Sequence, residues 1–123
     1  MTELHRAVGF AVVGLFAIGW LFGLVVWISR RAAGDWFWRW LVGAQLVAIA
    51  QALIGTALLA LGRRPTDWLH YVYGYGPLLI FAAAHVLARD ENFRLRPWVP
   101  FAAASFIAFG LTLRALMTGL GVG

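Results

Sequence analysis

Two histidines stand in matching settings near the starts of two apolar stretches: His5 is followed by Gly9, and His70 by Gly74. On a helix, a residue four places on lies one turn away on the same face. Each pair therefore offers a ring nitrogen beside a cleared space, which is what a flat, bulky iron cofactor asks of an axial ligand. The third histidine, His85, lies ~22 Å from His70 by helical rise and reads as a polar residue at the opposite interface. The chain can supply one such pair and no second.

Three other polar residues interrupt the apolar stretches. Gln51 falls near the middle of the second, where an amide needs an interhelical hydrogen bond, and Gly55 follows it one turn on. Gly55 could give a porphyrin edge its clearance. Arg114 sits about 9 Å inside the end of the last stretch; its fork could pair with a haem propionate, or snorkel to headgroups. Arg6 stands at the same end. Pro77 removes one helical hydrogen bond and predicts a kink that re-aims the His70 turn. Tyr71, Tyr73 and Tyr75 read as interface aromatics.

The elements that must position these residues follow from composition. Hydrophobic residues make up 63% of the 123-residue chain and charged residues 12%, about half the roughly 25% of a soluble domain. The charges cluster between apolar runs of about 20 residues, the length that crosses a bilayer core. We read an all-α, integral membrane four-helix bundle in a single domain, residues 1–123, with antiparallel up-down topology. The four transmembrane helices are expected over about 3–29, 36–62, 67–89 and 97–119. Thr2 and Asp35 are the expected N-caps of the first two. Pro65 and Thr66 introduce the third, and Pro97 and Pro100 fall in the first turn of the fourth. Gly121 to Gly123 form an expected frayed tail.

Helix 1 carries its positive cluster at its far end, unlike a cleaved signal peptide. All ten basic residues are arginines, which fits lipid phosphates and gives no basic stripe for nucleic acid. With no cysteine, disulfides and thiolate metal sites are excluded. Arg30, Arg31, Arg39, Arg89, Arg94 and Arg96 fall on one side of the membrane; Arg6, Arg63, Arg64 and Arg114 fall on the other. The larger group marks the inner side, so both termini and the 2–3 loop face outward. Trp36, Trp38, Trp40 and Trp98 then suggest an inner aromatic belt, and Trp68 with Tyr71 an outer one.

In this topology His5 and His70 share the outer end, on helices 1 and 3, which are diagonal across the bundle. The stripe His5, Gly9, Val12, Phe16, Gly19 and Gly23 is a single inward face, with Gly19 and Gly23 there for close packing. His5 lies roughly 18 Å from the middle of its helix and His70 roughly 12 Å, so a shared level needs tilt or vertical offset.

With these residues placed, the chain resembles one half of a haem A synthase, an eight-span membrane enzyme of haem oxidation. The resemblance rests on Leu4, His5 and Arg6, on Gln51 to Gly55, and on Leu69 and His70. It covers about 90 residues of helices 1 to 3. It implies a four-helix bundle holding one haem, with both histidines outward. The chain departs from the family in having one bundle instead of two. The family's acid three residues before the histidine is here Glu3, two before His5 and on a different helix face. Capacity to hold a haem carries over better than methyl oxidation, and no catalytic residue is assigned.

These residues together predict a cytochrome b-like protein of a bacterial-type inner membrane. One haem b iron would be ligated by His5 and His70, for electron transfer or haem handling near the outer face. Gly9, Gly74 and Gly55 would give clearance, and Arg6 and Arg114 charge balance. A homodimer would recreate eight helices. The competing expectations are a cofactor-free accessory subunit of a respiratory or photosynthetic complex, and a small homo-oligomeric transporter or channel using Arg114 and Gln51.

Overall fold

The computed structural model of the chain describes residues 2–29, 34–62 and 68–119. It is all-helical: α1 (Thr2–Ser29), α2 (Asp35–Ala60), α3 (Leu69–Leu87) and α4 (Trp98–Gly119), with a single 3-10 turn at Glu91–Phe93 between the last two. Arg30, Arg31, Arg63, Arg64, Pro65, Thr66 and the tail from Gly121 lie outside the described residues.

α1, α2 and α4 are each long and apolar enough to cross a membrane. α3 spans 19 residues, ~28 Å at helical rise. Its first half, from His70 to Pro77, holds the tyrosines and glycines. The helix runs through Pro77, which is buried.

The helix ends obey local chemistry, with corrections at Thr2, at Asp35 and at Pro97, which precedes α4. Gly34, in extended conformation, is the N-cap of α2 and Asp35 its first residue; no side chain caps the turn. α2 ends through Leu61 and then Gly62, whose φ of 82° is open to glycine at little cost. Thr2 already lies within α1. Pro100 sits in the first turn of α4, where its missing N–H costs nothing. Asp90 accepts a 2.9 Å bond from the Asn92 amide and holds the 3-10 turn.

α1 packs closely on α2 and α4, and α4 on α3, while α2 and α3 approach each other loosely. The helices thus ring the core in the order α2, α1, α4, α3, and α1 and α3 are diagonal as expected. The first turns of α1 and α3 and the last turns of α2 and α4 line one cavity, which requires consecutive helices to be antiparallel.

The core is the stripe read from α1 with its partners. Val12 and Phe16 are buried, Phe16 stacks on Phe81 with ring centres 5.3 Å apart, and Phe37, Leu41, Ala104 and Ala108 complete the layer. A Cβ on Gly23 would stand 2.8 Å from that of Ala102, so only glycine lets α1 and α4 meet there. Buried hydroxyls find partners on their own helix: Ser105 donates to the Phe101 carbonyl and Thr112 to that of Ala108. The inner belt is corrected. Trp98 is buried and Trp38 packs edge-on against Phe37 and Phe101. Trp40 donates to the Leu15 carbonyl on α1 at 2.8 Å. Trp36 and Trp68 are exposed, at the two ends where belts form.

Candidate functional site

The cavity at the α1 N-terminal end has a volume of about 240 Å³ and is lined by all four helices. His5, Arg6 and Gly9 come to it from α1, Gln51 and Gly55 from α2, and His70 and Gly74 from α3. Six of the seven cofactor-binding residues expected from the sequence therefore converge here, joined by Gln51. Arg114 is not among the lining residues. Its guanidinium lies 5.7 Å from the ring centre of Tyr73 on α3, a cation–π geometry.

His5 and His70 face each other across the bundle. Their ring centres are 6.0 Å apart and their planes are inclined at 76°. The vertical mismatch expected from helix lengths is absorbed, so the two rings share one level.

His70 is fixed by α4. Its Nδ1 lies 2.8 Å from the Ala115 carbonyl and 3.2 Å from Thr118 Oγ1. A carbonyl can only accept, so Nδ1 carries the proton and Nε2 keeps its lone pair. The Thr118 hydroxyl itself donates to the same carbonyl at 3.1 Å, which leaves its oxygen to accept the second branch from the ring. An imidazole held this way, with one nitrogen donating to backbone and the other bare, is what metal-ligating histidines have in common.

His5 is held differently. The Gln51 side-chain amide donates to its backbone carbonyl at 2.7 Å. Its own Nδ1 is buried without a hydrogen bond, and so is Gln51 Oε1. Two complementary polar atoms of one residue pair are thus left unpaired in an apolar site, where each costs about 1–3 kcal/mol.

The glycines sit differently from the simple pattern. A Cβ on Gly55 would come 3.0 Å from the His5 ring, and one on Gly119 would come 2.9 Å from the His70 ring. Each imidazole therefore rests on a glycine of a neighbouring helix. Gly9 makes room for Gln51, whose Nε2 would be 3.2 Å from a Cβ there, and Gly74 has no atom within 4 Å of that position. The clearance expected one turn along the same helix is open space at Gly74 and a seat for an amide at Gly9. Gly119, Ala115 and Thr118 carried no signal in the sequence, since which carbonyl of α4 meets His70 depends on how α4 is rotated.

α2 and α3 are joined beside the cavity by a polar contact, Thr56 Oγ1 to the Tyr75 hydroxyl at 2.5 Å. His85 stays apart: its Nδ1 donates to the Phe81 carbonyl at 2.7 Å, and its ring stands edge-on to Phe101. Among the described residues no group of three or more histidine, cysteine, aspartate or glutamate side chains is placed to hold a bare metal ion. No protein-family model, curated protein or solved structure matches the chain.

Proposed function

We propose that the protein binds one b-type haem between His5 and His70 and serves in electron transfer or haem handling within the membrane. The observation that carries this reading is the 6.0 Å separation of the two ring centres across a cavity. A metal bound about 2 Å from a nitrogen of each imidazole holds the ring centres roughly 6 Å apart. A porphyrin brings four nitrogens of its own, so a protein site with two imidazoles and no third ligand suits it.

The chain's residues would do four things. His70, with its tautomer set by Ala115, presents Nε2 as a ligand. His5 presents the opposing nitrogen. The other two helices line the cavity with Ala52, Gly55, Ala115 and Gly119, small residues that would leave room for a flat ring. Arg6, exposed at the cavity's edge, suits a carboxylate. At about 240 Å³ the cavity is smaller than the ~300–1,000 Å³ of most ligand sites. The loose α2–α3 seam beside it would give a larger group room.

Bound there, haem supplies a one-electron couple. With His5 and His70 both holding the iron, oxygen chemistry would be disfavoured and electron transfer favoured. The resemblance to haem A synthases adds to the haem-holding reading. Glu3 is exposed and not among the cavity residues, so oxidation of a haem methyl is not proposed. We place the protein in a bacterial-type inner membrane with its termini outward, where a homodimer would give eight helices.

The cofactor-free subunit reading has one observation of its own. Gly14, Gly43 and Gly110 are not buried and meet nothing within 4 Å, as small residues reserved for another helix would. The transporter reading needs Arg114 and Gln51 on one polar path, and Arg114 is turned to Tyr73 instead. A reduced-minus-oxidised absorption spectrum of protein purified from haem-supplied cells decides between the first two. Sharp α and Soret bands, lost in His5→Ala and in His70→Ala, are expected. A colourless, folded preparation favours the subunit.

A further inference from the structure

We infer that Gln51 is the positioning residue for His5 and, through it, sets the preference of the bound iron for its oxidised state. This rests on the haem reading above and deepens it. Three observations meet at this side chain. Its amide already anchors the His5 backbone carbonyl at 2.7 Å. Its Oε1 and His5 Nδ1 are both buried and both unpaired. Gly9 is the residue that makes room for it, since a Cβ there would stand 3.2 Å from Gln51 Nε2.

The two unpaired atoms are complementary. A protonated Nδ1 is a donor and Oε1 is an acceptor. A hydrogen bond between them would put the proton on Nδ1 and leave Nε2 bare. His5 then has the arrangement that His70 already has with the Ala115 carbonyl. The site becomes two imidazoles with matched tautomers, one set by a backbone carbonyl and the other by a side-chain amide. A strong acceptor on the far nitrogen makes an imidazole more basic toward its metal. That favours the ferric state and lowers the midpoint potential.

The test is a redox titration of the haem-loaded full chain, wild type against Gln51→Leu, Gln51→Glu and Gly9→Ala. Gln51→Leu removes the acceptor. Its midpoint should rise by the equivalent of about tenfold in the ferric-to-ferrous preference, ~59 mV for a one-electron couple, and haem affinity should fall by roughly 10–100-fold. Gln51→Glu keeps an acceptor and strengthens it, so affinity is retained and the midpoint falls. Gly9→Ala displaces the same amide slightly and should move the midpoint in the direction of Gln51→Leu by less. Should either position-51 variant fail to fold, Gly9→Ala and nitrogen NMR of His5 in the haem-loaded wild type carry the test. An Nδ1 proton shifted by a hydrogen bond in wild type, with the shift reduced in Gly9→Ala, supports the proposal. Midpoints unchanged across haem-loaded variants, or a proton on Nε2, overturn it while leaving haem binding intact. A wild type that takes up no haem overturns the haem reading, and this proposal with it.

Discussion

At the scale of single residues, the site depends on two imidazoles and on the glycines that seat them. Gly55→Val and Gly119→Val would drive side chains into rings that already stand 3.0 Å and 2.9 Å from a bare Cβ. Both variants should stay folded and lose the bis-histidine spectrum, while Gly14→Ala, with open space around it, should leave the spectrum unchanged. Absorption of each purified variant, with circular dichroism as the check on folding, reads this directly. The histidines were legible in the sequence because their type and mirrored settings stand out. Gly55 was legible as clearance, and in the fold it lies against the imidazole of His5 on the cavity wall. Gly119 and the Ala115 carbonyl were not legible, because a backbone acceptor on a distant helix leaves no mark in composition or spacing. Arg114 was legible only in part, for a related reason. Its depth in an apolar helix is visible, but the tyrosine face that receives it is a property of packing.

At the scale of helices, the number and order of elements follow from runs of apolar residues broken by arginines, and the structure has the four that were expected. The inward stripe of α1 was legible in full, since a period near 3.6 fixes which face is buried. The tryptophans were less so. Trp98 looks like an interfacial residue in sequence and is a core residue in the fold, in a turn of α4 whose Phe101 packs against Trp38, Phe81 and His85. Two predictions belong here. Gly23→Val would force α1 and α4 apart at a 2.8 Å approach and should cost about 1–3 kcal/mol, as overpacking does; unfolding in mixed detergent against wild type measures it. Tyr75→Phe removes the one bond described across the α2–α3 seam. Its cost in stability should be near 0.6 kcal/mol, the average for interhelical bonds in membranes. Its larger effect should be on rate: if the seam is where a flat ring emerges, haem should transfer faster to an apo-globin acceptor from Tyr75→Phe than from wild type.

At the scale of the whole molecule, a bundle packed tightly along three of its four seams and loosely along the fourth holds two imidazoles at one end, 6.0 Å apart. The proposed orientation, with the termini outward, is checked by reporter fusions after Gly123. A reporter active only outside the cytoplasm should light up, and one active only inside should not. The central claim is that one iron is shared by His5 and His70, and the inclination of their planes gives it a signature. Electron paramagnetic resonance of the oxidised, purified protein is the most direct measurement. Planes near the observed 76° predict a strongly anisotropic low-spin ferric signal, of the kind given by near-perpendicular imidazoles, that disappears in His5→Ala and in His70→Ala alike. A protein with no ferric haem signal, or one whose signal survives the loss of either histidine, would contradict the account.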